Sequence, residues 1–486
     1  MYRIENRFKV KFSAGVIATV VTLLMGSTIL SAAGTSSTGT LCASKKTGMV
    51  RWTSKSSCKS TERTYTPMAQ AAIAGPAGAT GPAGANGTNG APGARGADGI
   101  DGPEGPQGEP GLQGNITGHN IIHAFESNSG FYPSVAFGTD GLPVIAGAAN
   151  TDSGYHLRIM HCSDMSCSRT PVTTDYDTGS ASTGFYSSIM ANPADGFTLV
   201  AFYDETNTRL KVLHCENTIC TQGTVSTVDQ TSGSGAWGLS LTIGSDGLGL
   251  IYYYASATND LKVAHCADAA CTSATSTTLD SAGNVGGFGS ITTGVDGLGI
   301  ISYSDNTNKD LKIAHCSNVA CSSATISSVD TTGDPGYYSS IAIGLDGLAI
   351  ISHVDTSTMA VHVSHCQNVN CTTATTVALP VAGWATFETS MAIGRNGLPI
   401  IVHRLGEEPL RFSFKVTTCA TATCSVYSTY ELYPTSTNIP LIDPEVTIAP
   451  DGLPFIIGQY VTGSPRYLAT VHCGTITCSP WVGRNR

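Results

Sequence analysis

The stretch LKIAHCSNVACSSATISSVD, residues 311–330, decides the fold. Its first half alternates apolar and polar side chains up to Cys316, and its second half resumes a β-favouring run after Cys321. Two runs of period two joined by a short polar link read as a hairpin. The cysteine pair recurs as Cys162/Cys167, Cys215/Cys220, Cys266/Cys271, Cys366/Cys371, Cys419/Cys424 and Cys473/Cys478, always with four residues between and with 50 to 54 residues from pair to pair. A second marker keeps the same period: Asp140-Gly141, Asp195-Gly196, Asp246-Gly247, Asp296-Gly297, Asp346-Gly347, Asn396-Gly397 and Asp451-Gly452. Asp-Gly and Asn-Gly between apolar runs are hairpin-turn signals. Seven copies of each marker mean seven repeats, a length that points to a propeller or a solenoid.

One repeat, residues 337–380, reads strand by strand. YYSSIAIG is a strand, LDG turns the chain, LAIISHVD is a second strand, AVHVSHC a third and TTATTVALP a fourth. Four antiparallel strands, repeated seven times, predict an all-β fold, a seven-bladed β-propeller. No 3.6-residue period supports a helical solenoid. The last repeat stops soon after Cys478, while NIIHAFES at residues 120–127 aligns with fourth strands elsewhere. The N-terminal strand is therefore expected to complete the final blade and close the ring.

The Cys-x4-Cys pair admits three chemistries. His161, His214, His265, His315, His365 and His472 each precede the first cysteine of a pair. Neighbours on a strand face opposite ways, so histidine and cysteine do not share a metal, and two thiolates alone leave zinc short of ligands. Seven equal redox pairs serve no single site. Cysteines facing each other across a hairpin suit a disulfide. No metal is assigned to them.

Ahead of the repeats, glycine falls at every third position from Gly75 to Gly114, giving thirteen unbroken triplets. Only glycine fits the axis of a triple helix, so this period is its signature. Six prolines in the X and Y positions favour the extended backbone, and Arg95 with Asp98, Asp101, Glu104 and Glu109 offers ion pairs between chains. A stalk of this length extends roughly 120 Å. A flexible linker in a monomer is the alternative. The stretch resembles the collagen-like domains of exported bacterial surface proteins, which implies a homotrimer. The repeats after it look like bacterial propeller repeats, a resemblance that carries fold and not activity.

Residues 1–33 read as a signal peptide: Arg3, Arg7, Lys9 and Lys11, then the apolar run Phe12–Leu30, then Ser31-Ala32-Ala33. An uncleaved N-terminal anchor is the alternative, and the sole expected membrane contact. No wall-sorting motif closes the C-terminus, SPWVGRNR. An exported chain with sixteen cysteines is expected to be oxidised, secreted or at the cell surface. Residues 34–74 form a small module with one or two strands around Met49–Trp52 and a Cys42–Cys58 disulfide; it resembles modules that precede collagen-like stretches in exported bacterial proteins. The stalk spans 75–114 and the propeller 119–486. The net charge of −10 argues against a nucleic-acid partner.

Features common to every blade serve the blade, so function is sought where blades differ. Tyr132, Tyr186, Trp237, Phe288, Tyr338 and Phe387 stand just before the innermost strands and would ring the channel mouth, suited to carbohydrate stacking or protein contact, or to packing between blades. His353 and His403 replace Tyr253 and Tyr303 of other blades, with Arg404, Glu407 and Glu408 nearby, and form a second candidate patch. No cofactor is expected, although Asp204–Glu205 and Asp305–Asp310 could hold calcium. There is no phosphate loop, no G-x-S-x-G elbow, no H-E-x-x-H, and no S-x-D-x-G-x-T-W box of sialidase-type propellers. The expectation is a non-enzymatic adhesin or lectin that binds a surface glycan or extracellular protein. A filament or coat protein, or a secreted glycosidase- or lyase-like enzyme using His353 and His403, are the competing readings.

Overall fold

A computed structural model of the 486-residue chain describes residues 40–44, 50–53, 62–64, 121–126, 129–176, 178–230, 238–379, 388–407, 411–432, 441–460 and 467–479. The signal or anchor segment, the collagen-like stretch and the Cys42–Cys58 pairing lie outside the described residues. The chain divides into two units, 1–106 and 107–486.

The first unit holds an antiparallel sheet of three strands in the order Val50–Thr53, Thr40–Ser44, Glu62–Thr64. The sequence predicts one or two. The third strand, ERT, escapes that reading because three polar residues carry no period.

The second unit is a seven-bladed propeller, each blade a four-stranded antiparallel sheet. Blades 1 to 6 span residues 129–176, 183–229, 239–280, 285–330, 337–379 and 389–431. Blade 7 joins 441–472 to the N-terminal strand Ile121–Glu126, which pairs with Tyr467–His472 as the ring-closure reading requires. The blade read from sequence resolves into Tyr337–Ile343, Ala349–Asp355, Ala360–Cys366 and Ala374–Leu379.

Burial follows position in the blade. Second strands such as Gly299–Asp305 and Ala349–Asp355 are buried along their whole length. They have strands on both sides and neighbouring blades on both faces, so their sequences read as nearly continuous apolar runs. Fourth strands such as Ala324–Asp330 lie outermost and are partly covered or exposed up to their last residue, Asp330, which is buried.

The core is not central but divided among the blade junctions. One cluster joins Leu199, Tyr203 and Val212 of blade 2 to Ile251, Tyr253, Cys266 and Cys271 of blade 3. The next joins Leu250 and Val263 of blade 3 to Ile301, Cys316 and Cys321 of blade 4. Around the ring, each junction cluster takes in the cysteine pair of the following blade. All seven pairs in the propeller are disulfides, with Cα–Cα distances of 4.8–5.0 Å.

The chemistry of these pairs matches the sequence reading, but the placement of the second cysteine does not. The expectation puts the two cysteines opposite each other on facing strands. Instead Cys215, Cys316 and Cys366 stand opposite Gly223, Ala324 and Ala374 in the ladder. Their partners are off the ladder. Cys167, Cys220, Cys271, Cys321, Cys371, Cys424 and Cys478 all lie inside the turn, with left-handed φ of 48–56°. This corrects the cross-strand bridge to a bridge from strand end to turn. The physical reason is the turn's own hydrogen bond: each of these cysteines donates its N–H to the carbonyl three residues back, as Cys167 does to Asp164, Cys220 to Asn217, Cys371 to Asn368 and Cys424 to Thr421. A tight turn closed in this way ends on a left-handed residue, which folds its sulfur back under the hairpin. The sulfur enters the junction, and all seven of these cysteines are buried. Small residues make room there: a Cβ on Gly299 would meet Leu250 Cδ2 at 2.6 Å and Cys316 Sγ at 3.0 Å.

The repeated histidine and aspartate prove to be one device. In six blades the histidine before the first cysteine reaches the Asp-Gly turn of its own blade, with Nε2–Oδ2 separations of 2.7–3.1 Å. The other carboxylate oxygen accepts the backbone N–H two residues on, as Asp346 Oδ1 does from Leu348 at 3.1 Å. Blade 6 has Thr418 and Asn396 in these places, so both partners change together. Innermost strands are tied by another repeated bond, in which a serine hydroxyl accepts an N–H from the next blade: Ile189 N to Ser134 Oγ at 3.1 Å, Leu241 N to Ser188 Oγ at 2.9 Å, Met391 N to Ser340 Oγ at 3.0 Å. At the seam between blades 7 and 1 the serine is replaced by Glu445, which accepts from Val135 N at 3.2 Å.

Candidate functional site at the channel mouth

Each innermost strand begins at the face opposite the Asp-Gly turns. In blades 1, 2, 4, 5 and 7 the ladder slips there, at Phe131/Ser134, Ala201/Tyr203, Gly287/Ser290, Tyr337/Ser340 and Ile442/Glu445. One residue bulges in each slip with a left-handed backbone: Tyr132 (φ 51°), Tyr186 (51°), Phe288 (54°), Tyr338 (50°) and Asp443 (52°). A bulge re-aims the side chain it carries. Positive φ is costly for such bulky residues, and strain of this kind collects at functional positions.

The bulged side chains meet. Tyr132 and Tyr186 stack with ring centroids 4.1 Å apart, and Phe288 lies 4.9 Å from Tyr338. Asp443 acts electrostatically on both Tyr186 and Tyr338, one from each aromatic pair. Glu388 of blade 6 completes the group. Its carboxylate is 3.3 Å from Arg404 Nη1 and accepts the Asp443 N–H at 2.8 Å.

Charge and burial are matched here. Burial raises the Glu388 carboxyl above its ordinary range, and the neighbouring Arg404 opposes that rise. Burial, with the charges of Glu388 and Asp443, pushes the Tyr338 phenol up to about 12. Burial and the hydrogen bond with Tyr132 keep the Tyr186 phenol well above its usual range, so both phenols stay neutral donors. The mouth thus combines half-buried aromatic faces, an arginine and two carboxyls, which suits stacking against a sugar ring and bidentate bonding to its hydroxyls.

Of the aromatics named from sequence, the structure brings together Tyr132, Tyr186, Phe288 and Tyr338; Trp237 and Phe387 lie outside the described residues. The sequence reading misses Glu388 and Asp443. A signal for Asp443 is present: FYPSV at 131–135 aligns with IDPEV at 442–446, which puts Asp443 in the place of Tyr132 and Glu445 in that of Ser134.

His353 and His403, read from sequence as a second patch, are fully buried inside their blades and so offer no exposed surface at the mouth. Both fill the blade interior at the position of Tyr253 and Tyr303, where a side chain of the second strand meets the third. His403 Nε2 is 3.0 Å from Thr417 Oγ1. Burial, then the charge of Lys415, lowers its pKa to about 4. Glu408 lies outside the described residues. Of the carboxylates considered for calcium, Asp204 faces Lys211 Nζ at 2.9 Å and accepts from Ser180 and Asn207. Asp305 faces Lys312 Nζ at 3.3 Å and accepts from Thr307 and Asn308.

The collagen triple helix repeat family (20 copies) matches residues 70–120. The chain therefore carries a collagen repeat followed by a seven-bladed propeller with a disulfide in every repeat. This is the organisation of a surface or extracellular binding protein. Among the described residues no helix is long and apolar enough to cross a membrane.

No curated protein matches the chain. Solved structures similar to it include a protein of unknown function from Dyadobacter fermentans, at 11% identity and a TM-score of 0.47 over 73% of this chain and 97% of that one. The NanB sialidase of Streptococcus pneumoniae is 10% identical, with a TM-score of 0.42 over 72% and 68%. An intramolecular trans-sialidase from Ruminococcus gnavus is 11% identical, with a TM-score of 0.43 over 73% and 96%. These neighbours correct one expectation from sequence. Sialidases stand among the similar propellers, so the exclusion of an enzyme does not hold. Likeness at this level assigns no activity to this chain.

Proposed function

We propose that the chain is an exported adhesin- or lectin-like protein whose propeller binds a surface carbohydrate at the channel mouth. The observation that carries this is the convergence of Tyr132, Tyr186, Phe288 and Tyr338, all on left-handed bulges, around Glu388, Arg404 and Asp443. A packing role alone gives no reason to repeat a strained backbone on four innermost strands. In this reading the chain trimerises through its collagen repeat, and three heads turn weak single sites into avid binding.

The test is a glycan array and a cell-binding assay with the full secreted chain. Wild type is expected to bind, Tyr186→Ala and Arg404→Ala to lose binding at least tenfold, and deletion of residues 75–114 to lose avidity while keeping the single-site affinity. Failure of the wild-type trimer to bind any glycan or cell surface would sink this reading.

A second reading rests on the same mouth. Glu388 has a raised carboxyl and is bonded to the backbone N–H of a second acid, Asp443, and glycoside hydrolysis uses two carboxyls. Turnover of a glycoside by wild type that disappears in Glu388→Gln, with binding retained, would replace the lectin by a hydrolase.

A further inference from the structure

At three successive junctions a buried aspartate closes the fourth strand of one blade and is held by the next blade. Asp229 receives the Tyr253 hydroxyl, and Lys262 Nζ at 2.8 Å. Asp280 receives the Tyr303 hydroxyl and Lys312 Nζ, both at 2.7 Å. At the third junction the aspartate remains, as Asp330, but tyrosine and lysine have become His353 and His362. The fixed cation that neutralises the first two carboxylates is gone.

We propose that Asp330, His353 and His362 form a binding site for one divalent transition-metal ion, zinc by preference, bridging blades 4 and 5. His362 Nδ1 is 3.0 Å and His353 Nε2 3.8 Å from Asp330 Oδ2, and the three ligand atoms lie within 4.8 Å of one another. Ligands about 2.0–2.1 Å from a tetrahedral ion stand about 3.3 Å apart, so small side-chain shifts complete the set. All three residues are buried on paired strands, which limits rearrangement to other geometries. Two imidazoles and one carboxylate suit zinc and its neighbours, not calcium or magnesium, which take oxygen ligands.

The surroundings fit this role. His353 is kept neutral, its pKa lowered to about 3 by burial and by His362, so the ring carries a single proton that can move between its nitrogens. Asp355 Oδ2 lies 3.9 Å from His362 Nε2, on the far side of that ring, where a carboxylate orients a metal-bound imidazole. Ser364 Oγ, 3.0 Å from His353 Nε2 and 2.7 Å from Thr376 Oγ1, borders the site. Loading the ion moves the His353 proton from Nε2 to Nδ1 and gives up the 3.3 Å contact from the Gly336 N–H.

The test compares the wild-type chain with His353→Tyr/His362→Lys, which rebuilds the arrangement of the two preceding junctions. After chelation and dialysis, zinc is titrated by calorimetry, bound metal is counted by mass spectrometry, and thermal unfolding is followed with and without zinc. Wild type is expected to take up one equivalent, retain it through gel filtration and unfold several degrees higher with zinc. The double variant is expected to fold, to bind at least about 100-fold more weakly and to unfold at the same temperature in zinc and chelator. Equal uptake by both proteins, or a wild-type midpoint indifferent to zinc, would overturn the proposal.

Discussion

Glu445 accepts a hydrogen bond from the N–H of Val135 at 3.2 Å, across 310 residues of sequence and across the seam where the ring closes. Burial lifts its carboxyl to about 8, against the hydrogen bonds from Val135 and Ser134. An acid with a raised folded pKa binds its proton more tightly when folded. Its stabilising contribution is full below the unfolded value near 4.5 and is lost as pH rises through about 8. The loss is on the order of 1–3 kcal/mol once the charged form draws in water and the site relaxes around it. Chemical denaturation from pH 5 to 9 should show this slope, and Glu445→Ser, which copies other junctions, should flatten it. An unchanged slope in the variant would exclude Glu445 as its source.

In six blades a histidine–aspartate pair joins the two turns. In blade 5, Asp346→Asn and His365→Thr should each cost about 0.5–1 kcal/mol, and the double variant little more than one of them. The double variant copies blade 6, which has Asn396 and Thr418. Urea unfolding of the four proteins gives the coupling energy, and a value of zero would reduce the pair to coincidence.

Because their sulfurs sit in the junctions, the disulfides act through packing as well as through the chain. Replacing Cys316 and Cys321 by alanine should cost about 2–4 kcal/mol. Replacement by serine should cost about 1–2 kcal/mol more, since the hydroxyls enter an apolar cluster with Leu250 and Ile301. Equal losses would return the disulfide to the simple turn staple expected from sequence.

Deleting residues 107–127 should leave blade 7 with an unpaired edge at Tyr467–His472. The truncated propeller is expected to unfold at a markedly lower temperature, and a synthetic IIHAFE peptide should restore part of the difference. A midpoint unmoved by the deletion would show that the strand is dispensable.

The fold was legible because its signals are local and repeated. Alternation, the Asp-Gly turn and the cysteine pair each mark one position in every blade, and even the closing strand matched its six siblings. The depth of the sulfurs was not legible. Cys167, Cys220, Cys371, Cys424 and their three counterparts have positive φ, and such a turn residue aims its side chain where no period records it. The mouth was half legible. The aromatics stood out by composition, but Glu388 and Asp443 reach them through the ring, from strands more than a hundred residues away from Tyr186. His353 and His403 misled because a histidine on a strand looks the same whether it faces solvent or the next blade. Their burial follows from the second strand being covered on both faces.

The closing strand Ile121–Glu126 is also where the preceding chain enters the propeller. Any pull transmitted along that chain arrives first at this short ladder with Tyr467–His472. No described disulfide crosses the joint, since Cys473–Cys478 closes within its own turn. Under load the head would yield by shedding one strand and opening blade 7, while the other six blades keep their own pairings. That joint thus decides in which order the propeller would come apart, one strand of blade 7 before any other.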